Sequence, residues 1–274
     1  MRSRTVRQSA PPPAIVWFRD DLRLADNPAL DAAVASGSPL ICIYVQDEES
    51  DGLRSLGGAA KWWLHGALDD LQASLRHLGG ELVIMRGASA QLLERLAIET
   101  GARTVFWNRR YDGASRAIDA KLEAALTARG VTVESFGANL LHEPWTLETS
   151  SGEPFRVFTP FWRAARANTE PRTPLPPPKR IEHRPLPNGF ESLTSTLESL
   201  TLEPSSPDWA AGLRACWRRG EKAGLARLCA FLESGLSGYA ANRDRPDKAA
   251  TSRLSPYLRF GNLSPRQVWH AAAT

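Results

Sequence analysis

Cysteine is scarce in this chain. Cys42, Cys216 and Cys229 are the three among 274 residues, an odd number without close spacing and each in an apolar context. That excludes a disulfide framework and fits reduced thiols in a cytoplasm. Five scattered histidines form no HxH, HExxH or paired-cysteine pattern, so no metal site is expected. No run of eighteen apolar residues occurs, which rules out a transmembrane helix, and no membrane partner is expected. The N-terminus is basic and then proline-rich, without the apolar core of a secretory signal. Residues 1–13 are therefore expected to be a disordered tail. No GxGxxG follows the first apolar run, which argues against a nicotinamide dehydrogenase.

What is present is an ordinary globular composition, 42% hydrophobic, long enough for one large domain or two modest ones. The net charge of +4 hides an asymmetry. Residues 1–150 carry 16 basic and 19 acidic groups, whereas residues 151–274 carry 18 and 11. A basic second half suits a polyanion such as DNA, and a solvated basic surface reads the same way.

Short apolar runs at 14–18, 40–45, 82–85, 104–107 and 131–136 alternate with helical patterns. The helix of clearest period covers 59–78, with Ala60, Trp63, Leu64, Ala67, Leu68, Leu71, Leu75 and Leu78 on one side. Others start at Asn27-Pro28, at a Ser89 cap, and near Ala114. Five strands alternating with four helices predict an α/β fold, a doubly wound parallel sheet over 14–137. Ligands of such sheets collect at the carboxyl ends of the strands. The loops 19–26, 46–57 and 108–113 are therefore the candidate pocket.

A helix is expected from Thr159-Pro160. Residues 171–207 then hold nine prolines and cannot bury enough apolar area to order themselves alone. The stretch 138–208 reads as an exit helix and a long interdomain linker lying along a surface. Residues 209–274 return to helical periodicity, with Trp209 and Trp217 expected as packing residues.

Near the end, Thr251, Ser252, Arg253 and Ser255 place three hydroxyls and a guanidinium within five residues. Ser255-Pro256 reads as an N-cap and first helical position, as does Ser264-Pro265, and Gly261 is placed to end the helix between them. A helix start with free N–H groups, hydroxyls and an arginine suits a phosphate or diphosphate. Two capped helices with solvated side chains would give the same pattern.

The whole string decides between these readings. Tyr-Ala-Ala-Asn-Arg-Asp-Arg-Pro from Tyr239, Thr-Ser-Arg-Leu-Ser-Pro-Tyr-Leu-Arg-Phe-Gly from Thr251 and Leu-Ser-Pro-Arg-Gln-Val-Trp ending at Trp269 closely resemble the flavin-binding region of the DNA photolyase/cryptochrome family. Val-Trp-Phe-Arg-Asp-Asp-Leu-Arg-Leu-Ala-Asp-Asn-Pro-Ala-Leu ending at Leu30, Lys61-Trp-Trp-Leu-His65, Trp107-Asn-Arg-Arg-Tyr111 and Asn139-Leu-Leu-His-Glu-Pro-Trp145 are similar to its antenna domain.

The resemblance implies a class I deoxyribodipyrimidine photolyase-like protein. Its 14–137 domain would hold a light-harvesting folate or deazaflavin, and 209–274 would begin an all-α FAD-binding domain. Tyr239, Thr251, Ser252, Arg253, Leu254 and Ser255 would line FAD, and Arg243 would face DNA containing pyrimidine dimers. Arg109 and Arg110 are candidates to face an anionic pigment. Ala250 stands where the family has glycine, and Ala114-Ser115 where folate-type members carry Asn-Glu. The family continues well past residue 274, so an N-terminal portion or truncated product is expected, acting as a monomer, with the catalytic residues lying elsewhere. A cryptochrome-like photoreceptor and an inactive remnant are the alternatives.

Overall fold

The computed structural model describes residues 11–167 and 170–273. At its centre lies β1 (Ala14–Phe18), buried along its whole length. On one side β1 pairs with β2 (Leu40–Gln46), which pairs with β3 (Leu82–Arg86). On the other it pairs with β4 (Thr104–Asn108), which pairs with β5 (Thr132–Phe136). All pairs are parallel, in the order β3-β2-β1-β4-β5. The direction of winding reverses between β1 and β4, which opens a crevice at their carboxyl ends.

Alternation along the strands divides the interior into two cores. Ile15, Trp17, Ile41, Ile43, Val105 and Trp107 face α3 (Ser89–Thr100) and α4 (Gly113–Ala128). Val16, Phe18, Cys42, Tyr44 and Phe106 face α1 (Pro28–Ala35) and α2 (Gly58–His77). This second core continues past α2 to Leu228, Leu254, Tyr257, Phe260 and Leu263, so the helical half is packed into it. The helical half comprises α6 (Ala211–Cys216), α7 (Glu221–Ser234), α8 (Tyr239–Asn242), α9 (Ser255–Arg259) and α10 (Pro265–Ala273). The exit helix α5 (Phe158–Ala167) begins one residue before Thr159.

The proline-rich stretch lies along the sheet domain. Backbone bonds join Ile181 to Leu78, Arg184 to Leu40 and Ser195 to Ile84. Ile181, Phe190, Leu197, Leu200 and Leu202 are buried on the surface it crosses. It borrows its order from the cores it covers.

Several expectations need correction. Residues 1–10 of the expected tail lie outside the described residues, but Pro11–Pro13 are tied down. The Pro11 carbonyl accepts from Arg184, and the Pro13 carbonyl from the Arg103 amide. Ser89 does not cap α3. It is the first helical residue, and Asp47, far away in sequence, accepts from both its amide (2.9 Å) and its hydroxyl (2.6 Å). Cys42 is buried, with its thiol pushed up to about 12 by burial, but Cys216 and Cys229 are exposed. Trp209 is exposed rather than core.

Candidate functional site

The loop after β1 was expected to line a ligand pocket, and only its first residues do. Arg19 lies over Trp17, 4.2 Å from the ring centroid, and pairs with Asp119 at 2.5 Å. With Tyr44, Asp47, Arg54 and Arg110 it lines a cavity of about 490 Å³ at the carboxyl ends of β1, β2 and β4. Arg110 reaches this cavity. Arg109 instead pairs with Glu143 at 3.1 Å and with the Ser135 carbonyl. Ala114 and Ser115 line the cavity in the first turn of α4, where Asp112 accepts from the Ser115 amide (2.9 Å).

The rest of the loop turns into the protein. Arg23 is fully buried and donates to the carbonyls of Asp26 (2.9 Å), Ala138 (3.1 Å) and Gly261 (3.0 Å) and to Asn139 Oδ1 (3.1 Å). Burial lowers its pKa, against the opposing charges of Asp21, Asp26 and Glu221. The Glu221 carboxyl accepts from the amides of Leu24 (2.7 Å) and Ala25 (2.9 Å). Asn262 accepts from Trp63 Nε1 (3.0 Å) and donates to the Leu22 carbonyl (3.0 Å). Gly261, at φ 63°, lies so close to Asp20 that an added Cβ would be 2.1 Å from its carbonyl oxygen. The loop therefore fixes where α9 stands.

The structure treats three of the x-Pro helix starts, at Asn27, Ser255 and Ser264, differently. Asn27 accepts from the Leu30 amide (3.1 Å) and is buried. Ser264, also buried, accepts from the Gln267 amide (3.0 Å), while the Gln267 side chain accepts from the Ser264 amide (2.8 Å), a complete capping box. Ser255 departs from expectation. It is the first residue of α9 with Pro256 second, Leu254 stands at the cap position, and no side chain caps the helix.

Thr251 and Ser255 are exposed, and no protein group among the described residues engages the hydroxyls of Thr251, Ser252 or Ser255. Arg227, which sequence reasoning passed over, holds this turn from behind. It donates to the carbonyls of Ser252 (2.8 Å) and Thr251 (3.2 Å). Nothing in the α7 pattern marks an arginine with that role. Leu254 is buried, and Arg253 is exposed. Thr251–Ser255 thus forms one open turn. Tyr239 opens α8, with its ring edge-on to Phe231 at 5.8 Å, and Arg243 pairs with Asp244 at 3.5 Å in solvent.

A doubly wound α/β domain thus shares its core with a helical unit that bears an open, hydroxyl-rich helix start. The chain belongs to the DNA photolyase family, whose profile matches residues 14–179. It is 48% identical over 259 residues to a deoxyribodipyrimidine photo-lyase of Agrobacterium fabrum, covering 94% of this chain and 53% of that protein. It is 40% identical over 261 residues to cryptochrome-1 of Arabidopsis thaliana, covering 94% and 37% respectively. The crystal structure of a class III photolyase from Agrobacterium tumefaciens superposes with a TM-score of 0.90 at 45% identity, covering 98% of this chain and 54% of that one. The chain spans about half the length of the photolyases it matches. A class I likeness was expected, and this solved relative is a class III protein.

Proposed function

We propose that this chain forms the antenna domain and the first part of the flavin domain of a light-driven DNA repair protein acting on pyrimidine dimers. The observation that carries the reading is the uncapped start of α9 beside three unengaged hydroxyls. Buried or half-buried helix starts normally find partners within the protein, and one left open is suited to an anion. The donor set fits the diphosphate of FAD. Thr251, Ser252 and Ser255 would donate hydroxyls, Arg253 its guanidinium, and buried Leu254 would anchor the turn. Tyr239 would add an aromatic flank. Reduced FAD, when bound, supplies the photoexcited electron donor.

The remaining roles belong to the chain's own groups. Enzymes that act on bases in duplex DNA, photolyases among them, take the target out of the stack. The basic second half would hold DNA phosphates in a salt-dependent way, with solvent-facing Arg243 among the contacts. The cavity ringed by Arg19, Arg54 and Arg110 would take an anionic antenna pigment, a folate or deazaflavin, and the protein would act as a monomer.

The chain by itself is proposed to bind FAD weakly, in titration rather than through purification. FAD titration followed by blue-light treatment of a dimer-containing oligonucleotide tests the reading. Saturable FAD binding abolished by alanines at Thr251, Ser252 and Ser255 supports it, and binding indifferent to those changes overturns it. The 40% identity to cryptochrome-1 favours a second reading, a photoreceptor. Flavin photoreduction without base restoration would select it.

A further inference from the structure

Four of the ten large apolar side chains exposed among the described residues fall within positions 157–162. Val157 is 62% exposed and Phe158 71%, with Phe161 and Trp162 beside them. All but Val157 lie on α5, where Ala165 is the one buried residue. Phe158, Phe161, Trp162 and Ala165 recur at three and four residues, so a single helical face carries the rings. Phe158 stacks on Trp162 at 6.3 Å, and Phe161 meets Phe155 at 6.2 Å. Monomeric proteins rarely expose contiguous aromatic surface of this kind.

The face continues onto α10. Trp162 meets Trp269 edge-on at 6.3 Å. Pro265, Val268, Trp269, Ala272 and Ala273 form a second stripe of helical period, and no residue of α10 is buried. With Leu141 and Leu258 they line an open groove of about 450 Å³ that no charged side chain borders. Val268 with Ala272, and Trp269 with Ala273, form the i, i+4 rows between which the side chains of another helix pack.

Chain length points to what supplies that helix. The Agrobacterium fabrum photo-lyase and the class III structure match 94% and 98% of this chain, yet the matches take up only 53% and 54% of their own lengths. Those proteins therefore share the α5 and α10 region and carry nearly as much chain again. We propose that the α5–α10 face is a docking surface for an amphipathic helix from the part of a photolyase chain that lies outside the match. The proposal extends the reading of this chain as one part of a larger fold, and it does not depend on flavin. The occupant presents aliphatic and aromatic side chains to the groove, because the groove offers no charge to pair with. Trp162 and Trp269, which meet where the two helices join, are its anchors.

The test co-expresses the whole 274-residue chain with the segment of the Agrobacterium fabrum photo-lyase that lies outside the match. Wild type is compared with Phe158→Ser, Trp162→Ser and Ile98→Ser, the last an exposed apolar position on α3 that serves as control. Wild type and Ile98→Ser are expected to co-purify with the segment. In Trp162→Ser the co-purified amount is expected to fall at least about tenfold, with a smaller fall in Phe158→Ser. Urea midpoints of these surface variants are expected to stay at the wild-type value. A second arm uses wild type alone, and it decides the matter if a variant misfolds. Hydrogen exchange at residues 158–167 and 265–273 is expected to slow at least about tenfold in the complex. Absence of a complex, equal recovery with Trp162→Ser, or protection confined to other residues overturns the proposal. Sedimentation showing this face occupied by a second copy of the chain overturns it as well. FAD titration is read separately, so failure of the flavin reading and failure of this proposal are distinct results.

Discussion

The starts of α1 and α9 look alike in sequence and differ in what they do with their polar groups. At α1, Asn27 accepts from Leu30 and from Asn108 Nδ2 (2.7 Å) and donates to the carbonyls of Asp21 (3.3 Å) and Arg23 (3.1 Å). Every direction is occupied by protein, and the residue is buried. At α9, Ser255 is exposed, the preceding residue offers no capping side chain, and three hydroxyls are unengaged. A polar cluster satisfied internally serves the fold. One that the fold holds in place but leaves unsatisfied is available to a ligand.

The contrast can be broken most sharply at Arg23. Arg23→Met would strip four carbonyl or amide oxygens of their donor and remove the buried positive charge that faces Asp21 and Glu221, while Asp26 would keep its pair with Arg172. Loss of about 3–5 kcal/mol is expected, read as a fall in the urea midpoint. Glu221 adds a pH dependence to the same network. Burial raises its carboxyl pKa, with Arg23 opposing and Asp70 reinforcing the shift. The folded chain therefore binds this proton more tightly than the unfolded chain does. Its contribution is full below the ordinary glutamate pKa and declines as pH rises through the raised folded value. Urea midpoints across that window should show wild type losing stability relative to Glu221→Gln as pH rises. A parallel pair of curves would refute it.

Asn27→Ala removes a cap and buried bonds together, and a loss of about 2 kcal/mol is expected in thermal or urea unfolding. Ser264→Ala removes one arm of a capping box, at about 1 kcal/mol. Ser255→Ala should change stability by less than about 0.5 kcal/mol and weaken FAD by about tenfold, the worth of one hydrogen bond to a charged group. If Ser255→Ala destabilised as much as Ser264→Ala, the distinction between the two starts would collapse.

Much of this architecture was legible before the fold was seen. β1 occupies Ala14–Phe18 as its apolar run indicated, and Asn27 and Gly261 punctuate helices as their chemistry requires. These signals are local, and local patterns can be read from one sequence. Ser89 was misjudged because its partner is Asp47, supplied by the end of another strand. Ser255 was misjudged for the same reason. Leu254 takes the cap position after the left-handed Arg253, and the turn before it is held by Arg227 of α7 through the Thr251 and Ser252 carbonyls. The turn Thr251–Ser255 was recognisable by composition, and the scaffold that keeps it open was not.

One apolar core runs without interruption from the sheet, through α2, to α9. Two pigments, one in the cavity above the sheet and one at the start of α9, would be mounted on a single frame. Their separation and the angle between their transition dipoles would then be constants of the protein. Excitation passed from one to the other would have an efficiency fixed at folding rather than averaged over a hinge.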